Sequence, residues 1–290
     1  MKLPDNLIGQ TSNQKVQEIY DYIDLKFQDR GTILEFGTFL GKVTYCLSII
    51  QKKKKIKNKI FTYDIFIWNS LHKKKFPELN LKIGQCFMQK TKSIVSNDSI
   101  HFIKGDINKF IYSERSFIEL VILDAPKSFD EIKDIIFKIN NKLIPGCSKI
   151  IFMDFYLSSK YDTILFLYIL KNYGKISFSQ FENVFFELNK KIDLDILNLN
   201  SIKKCDYFLI ENFLTKIENK SSLIKLQLPM LLLNYRLFGF FSAIRKIFAI
   251  NEYLMFKKYV FSKSFLKQFY IIFPFIFVKM IYEKIKNMFN

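Results

Sequence analysis

Thr32-Ile33-Leu34-Glu35-Phe36-Gly37-Thr38-Phe39-Leu40-Gly41 is the stretch that decides the fold. A short, unbroken apolar run leads into a loop with glycines at its first and fifth positions. A segment from Lys42 to about Gln51 then carries helical apolar spacing. Strand, glycine turn and helix in that order form the opening unit of a doubly wound α/β domain. The loop is not the dinucleotide fingerprint G-x-G-x-x-G, because Glu35 stands where its first glycine belongs. A carboxylate there repels a pyrophosphate but suits a cationic or hydroxyl-bearing ligand.

On the N-terminal side, Ser12 to Asp29 reads as a helix. Ser12 or Asn13 is the candidate cap, and Val16, Ile19, Tyr20, Ile23 and Phe27 recur at helical spacing. Downstream, Lys59–Asp64, Ile100–Lys104, Phe117–Asp124 and Lys149–Asp154 read as four further strands. They alternate with helical segments at Ile83–Ser93, Phe129–Leu143 (closed by Pro145-Gly146) and Tyr161–Tyr173. The strands are continuous rather than alternating apolar runs, the mark of a parallel sheet covered on both faces. Residues 65–98 are otherwise poorly patterned, and 175–188 read as two short strands or a hairpin.

Each of the five strands has an acid at or just past its end: Glu35, Asp64, Asp106, Asp124 and Asp154. In doubly wound sheets the ligand crevice lies outside the carboxyl ends of the strands, so these five should converge on one edge. Asp64, ending the second strand, can accept hydrogen bonds from both hydroxyls of a ribose.

This ordered set resembles the class I S-adenosylmethionine-dependent methyltransferases. The wording ILEFGTFLGKVTYCLS (33–48) is similar to a branch that includes bacterial sugar and macrolide O-methyltransferases, as is LVILDAPKSFDEIKDIIFKINNKLIPGCSKIIFMDFY (120–156). The resemblance covers about residues 8–190. It implies a Rossmann-like, mostly parallel sheet and S-adenosylmethionine as cofactor. Carried over, Glu35, Gly37, Thr38 and Gly41 would line its methionine and ribose part, Asp64 would hold the ribose hydroxyls, and Asp106 with Ile107 would flank the adenine.

The reacting end departs from the pattern. Relatives carry Asp-Gly-x-His-x-Tyr or Asp-x-Asp after strand four and Asp-Asp after strand five. This chain has Asp124-Ala-Pro-Lys127-Ser-Phe129 and Met153-Asp154-Phe155-Tyr156. Asp124 and Asp154 are the candidate bases, with Lys127 as a base of depressed pKa or an anchor for an anionic substrate. Two carboxylates could hold Mg²⁺ with waters, so a divalent cation at Asp124 and Asp154 stays open. His101, inside a strand, reads as a core or edge residue.

Composition bounds the rest. The chain has 290 residues and a net charge of +18. That charge favours polyanions or is a solvated lysine surface. Lys52–Lys55 and Lys73–Lys75 lack interleaved aromatics that would stack bases. Four scattered cysteines without C-x-x-C argue against a structural zinc site or a disulfide framework, which suits a cytoplasmic protein. The N-terminus has no apolar signal core, and the longest charge-free apolar run, 268–278, has 11 residues, short of a bilayer span.

The expected organisation is an N-terminal helical segment (1–30), a cofactor-binding domain (31–215) and a basic, apolar helical extension (216–290). The extension carries 13 Lys/Arg against 3 Asp/Glu. It reads as a substrate cap, a dimer interface or a peripheral membrane contact at the inner face. The expected function is O-methylation of a sugar or glycan-like small molecule. The alternatives are a catalytically silent binding protein of the same fold, and a nucleic-acid methyltransferase. The last is disfavoured because no Asn-Pro-Pro-aromatic motif is present.

Overall fold

The structure is a computed structural model; it describes residues 7–125, 128–154, 162–197 and 203–214, with single residues between 230 and 242. Lys127, Phe155, Tyr156 and nearly all of the extension 216–290 lie outside the described residues.

The chain opens with helix α1 (Asn13–Lys26), capped by Ser12, whose side chain accepts from the Lys15 amide. Then follow strand β1 (Thr32–Phe36), helix α2 (Lys42–Lys54), strand β2 (Ile60–Asp64) and the short helices α3 (Ser70–Lys75) and α4 (Met88–Val95). Strands β3 (Ile100–Lys104) and β4 (Ile118–Leu123), helix α5 (Phe129–Ile139), strand β5 (Lys149–Phe152) and helix α6 (Asp162–Leu170) continue the alternation. Strands β6 (Gly174–Phe178) and β7 (Val184–Leu188) and helix α7 (Lys204–Leu214) complete the described elements.

The seven strands form one sheet in the order β3-β2-β1-β4-β5-β7-β6. β1 to β5 run parallel, while β7 pairs antiparallel with both β5 and β6. The order reverses between β1 and β4, which is the topological switch point.

The central strands are buried on both faces because successive residues feed two different layers. Ile33 of β1 and Leu120 and Ile122 of β4 pack with Val16, Ile19 and Ile23 of α1 and Leu47 of α2. The intervening Leu34, Phe36, Val121 and Leu123 pack with Ile132, Ile135, Ile136 and Ile139 of α5 and Phe166 of α6. The described edge strands are more open: β6 alternates half-buried and exposed residues, as half-solvated strands do, and β3 exposes His101 and Lys104. His101 sits exposed on edge strand β3, its ring 4.9 Å from that of Phe61.

Two acids hold the scaffold rather than the ligand edge. Glu119, within the apolar run of β4, is 1% exposed. Its carboxylate accepts from the amides of Gln28 and Arg30 at 2.6 Å each and of Gly31 at 3.1 Å, tying the α1–β1 connection to the sheet. The second is Glu35, described below.

The helix expected over 83–93 begins later. Residues 83–87 make a turn and an isolated antiparallel bridge, Ile67 to Cys86, and α4 starts at Met88. Gly84, at φ +85°, turns the chain there. The interrupted stretch is ordered by a small core of its own, Leu40, Phe66, Trp68 and Phe87.

Candidate functional site

A cleft of about 470 Å³ opens at the carboxyl ends of the strands, across the switch point. Four of the five strand-end acids reach it: Asp64, Asp106, Asp124 and Asp154. Gly37, Thr38 and Ile107 line it too, with Phe39 and Lys42 from the same loop and helix start.

The loop after β1 is shaped by backbone constraints. Gly37 has φ +97°, and a Cβ there would stand 2.5 Å from the Ala125 amide nitrogen. Only glycine allows the β1 and β4 loops to approach this closely. The two loops are also bonded: the amides of Asp124 and Ala125 both donate to the Phe36 carbonyl at 2.9 Å. Phe39 holds a left-handed φ of +47°. Its amide donates to Asp64 Oδ2 at 2.9 Å, while Asp64 Oδ1 accepts from the Phe66 amide at 2.7 Å. Asp64 thus braces the loop while lining the cleft, and each oxygen keeps a lone pair for a ligand hydroxyl. Asp106 caps a single 3₁₀ turn, Ile107–Lys109, by accepting from the Asn108 amide at 2.9 Å.

Glu35 and Gly41 stand elsewhere than expected: neither lines the cleft. Glu35 is 1% exposed and lies beneath the loop. Its Oε2 accepts from Thr44 Oγ1 at 2.6 Å and Thr62 Oγ1 at 2.8 Å, and Thr62 is hydrogen-bonded in turn to Thr38. Burial pushes its carboxyl up to about 7, the two threonine donors oppose that, and the negative charges of Asp124 and Asp64 add to it. Gly41, the left-handed N-cap of α2, is required by packing. A Cβ there would meet Val95 Cγ2 at 2.7 Å and Thr91 Cγ2 at 2.9 Å.

Asp154, also on the cleft wall, has φ +56° and forms an ion pair with Lys15 Nζ at 2.7 Å. Lys15 also pairs with Glu182, in the turn between β6 and β7. Burial alone would lower the lysine, but the hydrogen bonds to Asp154 and Glu182 outweigh it and raise its pKa above the ordinary value. Among the described residues no group of three or more His, Cys, Asp or Glu side chains is placed to hold a metal.

Several cleft residues carried no signal in the sequence. Gly9, Gln10 and Thr11 cross one side of it, with Lys42 Nζ donating to the Thr11 carbonyl at 2.7 Å. Burial lowers the Lys42 pKa. His72 of α3 lines the cleft, its pKa lowered chiefly by burial, and its ring lies 4.8 Å from that of Phe39. Glu131 lines the cleft as well; it forms the capping box of α5 with Ser128, a pattern readable as Ser-x-x-Glu.

The seven-stranded sheet, with β1 to β5 parallel and β7 antiparallel between β5 and β6, is a Rossmann-like, doubly wound architecture. The sequence matches no family model and no curated protein. Among solved structures the chain is similar to the O-methyltransferase NovP, at 11% identity over 61% of this chain and 80% of that one, with a TM-score of 0.47. It is also similar to CalS11, a TDP-rhamnose 3′-O-methyltransferase of calicheamicin biosynthesis, at 11% identity over 60% and 79%, with a TM-score of 0.45. A third similarity is to an rRNA methylase from Streptococcus thermophilus, at 14% identity over 60% and 96%, with a TM-score of 0.37.

Proposed function

We propose that the protein is an S-adenosylmethionine-dependent methyltransferase that methylates a hydroxyl of a sugar or glycan-like acceptor. The observation that carries this reading is the gathering of Gly37, Asp64, Asp106, Asp124 and Asp154 around one cleft. An acidic edge suits a cationic sulfonium, and the Asp64 oxygens suit vicinal ribose hydroxyls.

When bound, the cofactor would supply an electrophilic methyl group. The chain's own contribution is to hold the acceptor oxygen in line with that methyl and to take its proton. Asp124 and Asp154 are the candidate acceptors of the proton, and Lys15 pairs with the Asp154 carboxylate. Lys127, next to the reacting end in sequence, keeps its proposed role as base or anion anchor.

Calorimetric titration with S-adenosylhomocysteine tests the reading. Wild-type protein should bind at micromolar affinity, and Asp64→Ala should lose about tenfold or more, the worth of one or two hydrogen bonds to a charged group. A well-folded wild-type protein that does not bind overturns the proposal. Binding without turnover on any hydroxyl acceptor would favour the catalytically silent reading.

A further inference from the structure

The segment joining β2 to α4 presents an unusual surface beside the mouth of the cleft. Four aliphatic side chains are turned to solvent there: Ile65 at 53%, Ile67 at 37%, Leu71 at 53% and Ile83 at 61% exposure. They share one floor. The Trp68 amide donates to the Gln85 carbonyl at 2.9 Å and the Gly84 amide to the Trp68 carbonyl at 2.7 Å, which sets Ile83 alongside the start of α3. Beneath lie Trp68 and Phe66, both fully buried. The same segment carries exposed lysines at 73, 74, 75 and 82 against a single acid, Glu78. Ile65 also lines the cleft, so the surface runs into its mouth.

Scattered exposed aliphatics need no explanation, but a cluster in a lysine-rich segment does. A nucleic-acid surface would use the lysines and offer aromatic faces for stacking. Here the nearby rings are committed inward: Phe76 and His72 pack against Phe39. Exposed Ile and Leu gain nothing from phosphate backbones. They gain from entering the acyl boundary of a bilayer whose anionic headgroups attract the segment's lysines.

We propose that residues 65–83 are a docking surface for an anionic lipid bilayer, which brings the mouth of the cleft to the membrane. The surface rests on exposure and charge and does not depend on what the cleft holds. Joined to the methyltransferase reading, on which this last step depends, it makes the acceptor a lipid-borne molecule.

Trp68 is the chain's single tryptophan and lies directly under this surface, so it serves as a local probe. The full chain is mixed with phosphatidylcholine vesicles, with or without phosphatidylglycerol, whose acyl chains carry bromine. Trp68 emission should be quenched on the anionic vesicles and unchanged on the neutral ones. Leu71→Ser with Ile83→Ser should abolish quenching. Each lysine at an anionic surface is worth about fivefold in partitioning, so Lys73→Ser, Lys74→Ser and Lys82→Ser together should weaken it about a hundredfold. Unchanged S-adenosylhomocysteine affinity in these variants separates loss of docking from loss of fold or of the cofactor site; should the wild-type protein not bind that ligand, matched urea midpoints serve instead. Vesicle binding in sedimentation with Trp68 unquenched would overturn the proposal by assigning the contact to another part of the chain. Absence of binding at low salt would overturn it too. So would polynucleotide binding that needs the lysines but is indifferent to Leu71 and Ile83.

Discussion

Glu35→Gln should leave the protein about as stable as wild type in acid and make it more stable in mild alkali. The Glu35 carboxyl is fully buried, and its pKa stands at about 7 against an ordinary 4.5. The folded state therefore binds this proton more tightly than the unfolded state. Stability from this group is fully present below about 4.5, falls as pH rises, and is gone above about 7. The change from 4.5 to about 7, at about 1.4 kcal/mol per tenfold, amounts to about 3 kcal/mol. No solvent screening reduces it, because the carboxyl is 1% exposed. Glutamine keeps the shape and an oxygen for Thr44 and Thr62 but has nothing to ionise. Urea unfolding of both proteins from about pH 4.5 to about pH 8 measures the difference directly, and subtracting one curve from the other cancels the titration of groups that do not interact with Glu35. The variant's advantage should open across that window and level off near 3 kcal/mol. A difference that stays flat with pH would falsify the reading of Glu35 as a carboxyl kept neutral by burial.

Three further outcomes follow from the geometry. Glu119→Ala removes the acceptor of three backbone donors, the Gly31 amide buried and those of Gln28 and Arg30 part-buried, and should cost about 2 kcal/mol or more in urea unfolding; a loss under 1 kcal/mol would mean that water replaces the carboxylate. Gly37→Ala forces a Cβ to 2.5 Å from the Ala125 amide at φ +97°, and should lose about 2 kcal/mol of stability along with S-adenosylhomocysteine binding; wild-type values for both would show that the loops can separate. Lys15→Met removes the cation from Asp154 and Glu182. It should cost about 1 kcal/mol or more of stability in urea unfolding, and wild-type stability would argue that the ion pairs are incidental.

The sheet was legible because its central strands are read by their surroundings alone. A run such as Ile118–Leu123, buried at every position, must be apolar throughout except where a bonded acid is built in. That exception, Glu119, was visible as an acid inside an apolar strand, and its reading needed the positions of Gln28 and Arg30, which no local pattern contains. Residues 65–98 were opaque for a related reason. They are ordered by Phe66, Trp68 and Phe87 meeting across turns, with neither the period of a helix nor that of a strand. The strand-end acids were found by spacing, but spacing does not say which way a side chain turns. Asp64 faces the cleft, whereas Glu35 turns down to two threonines, Thr44 on a helix and Thr62 on a neighbouring strand. His72 and the Gly9–Thr11 segment reach the cleft from far away in sequence, and nothing local marks them.

The joint between the loops after β1 and β4 bears on how such a protein can change over time. Gly37 lies against Ala125, and the amides of Asp124 and Ala125 share the Phe36 carbonyl, so the floor of the cleft is peptide against peptide. A floor built from main chain is indifferent to most substitutions around it. Lineages can exchange the side chains on its rim, trying one acceptor after another, while the position of the reacting centre is inherited unaltered. The same joint sets a narrow limit on that freedom: at Gly37 itself there is no smaller residue to retreat to and no room for a larger one.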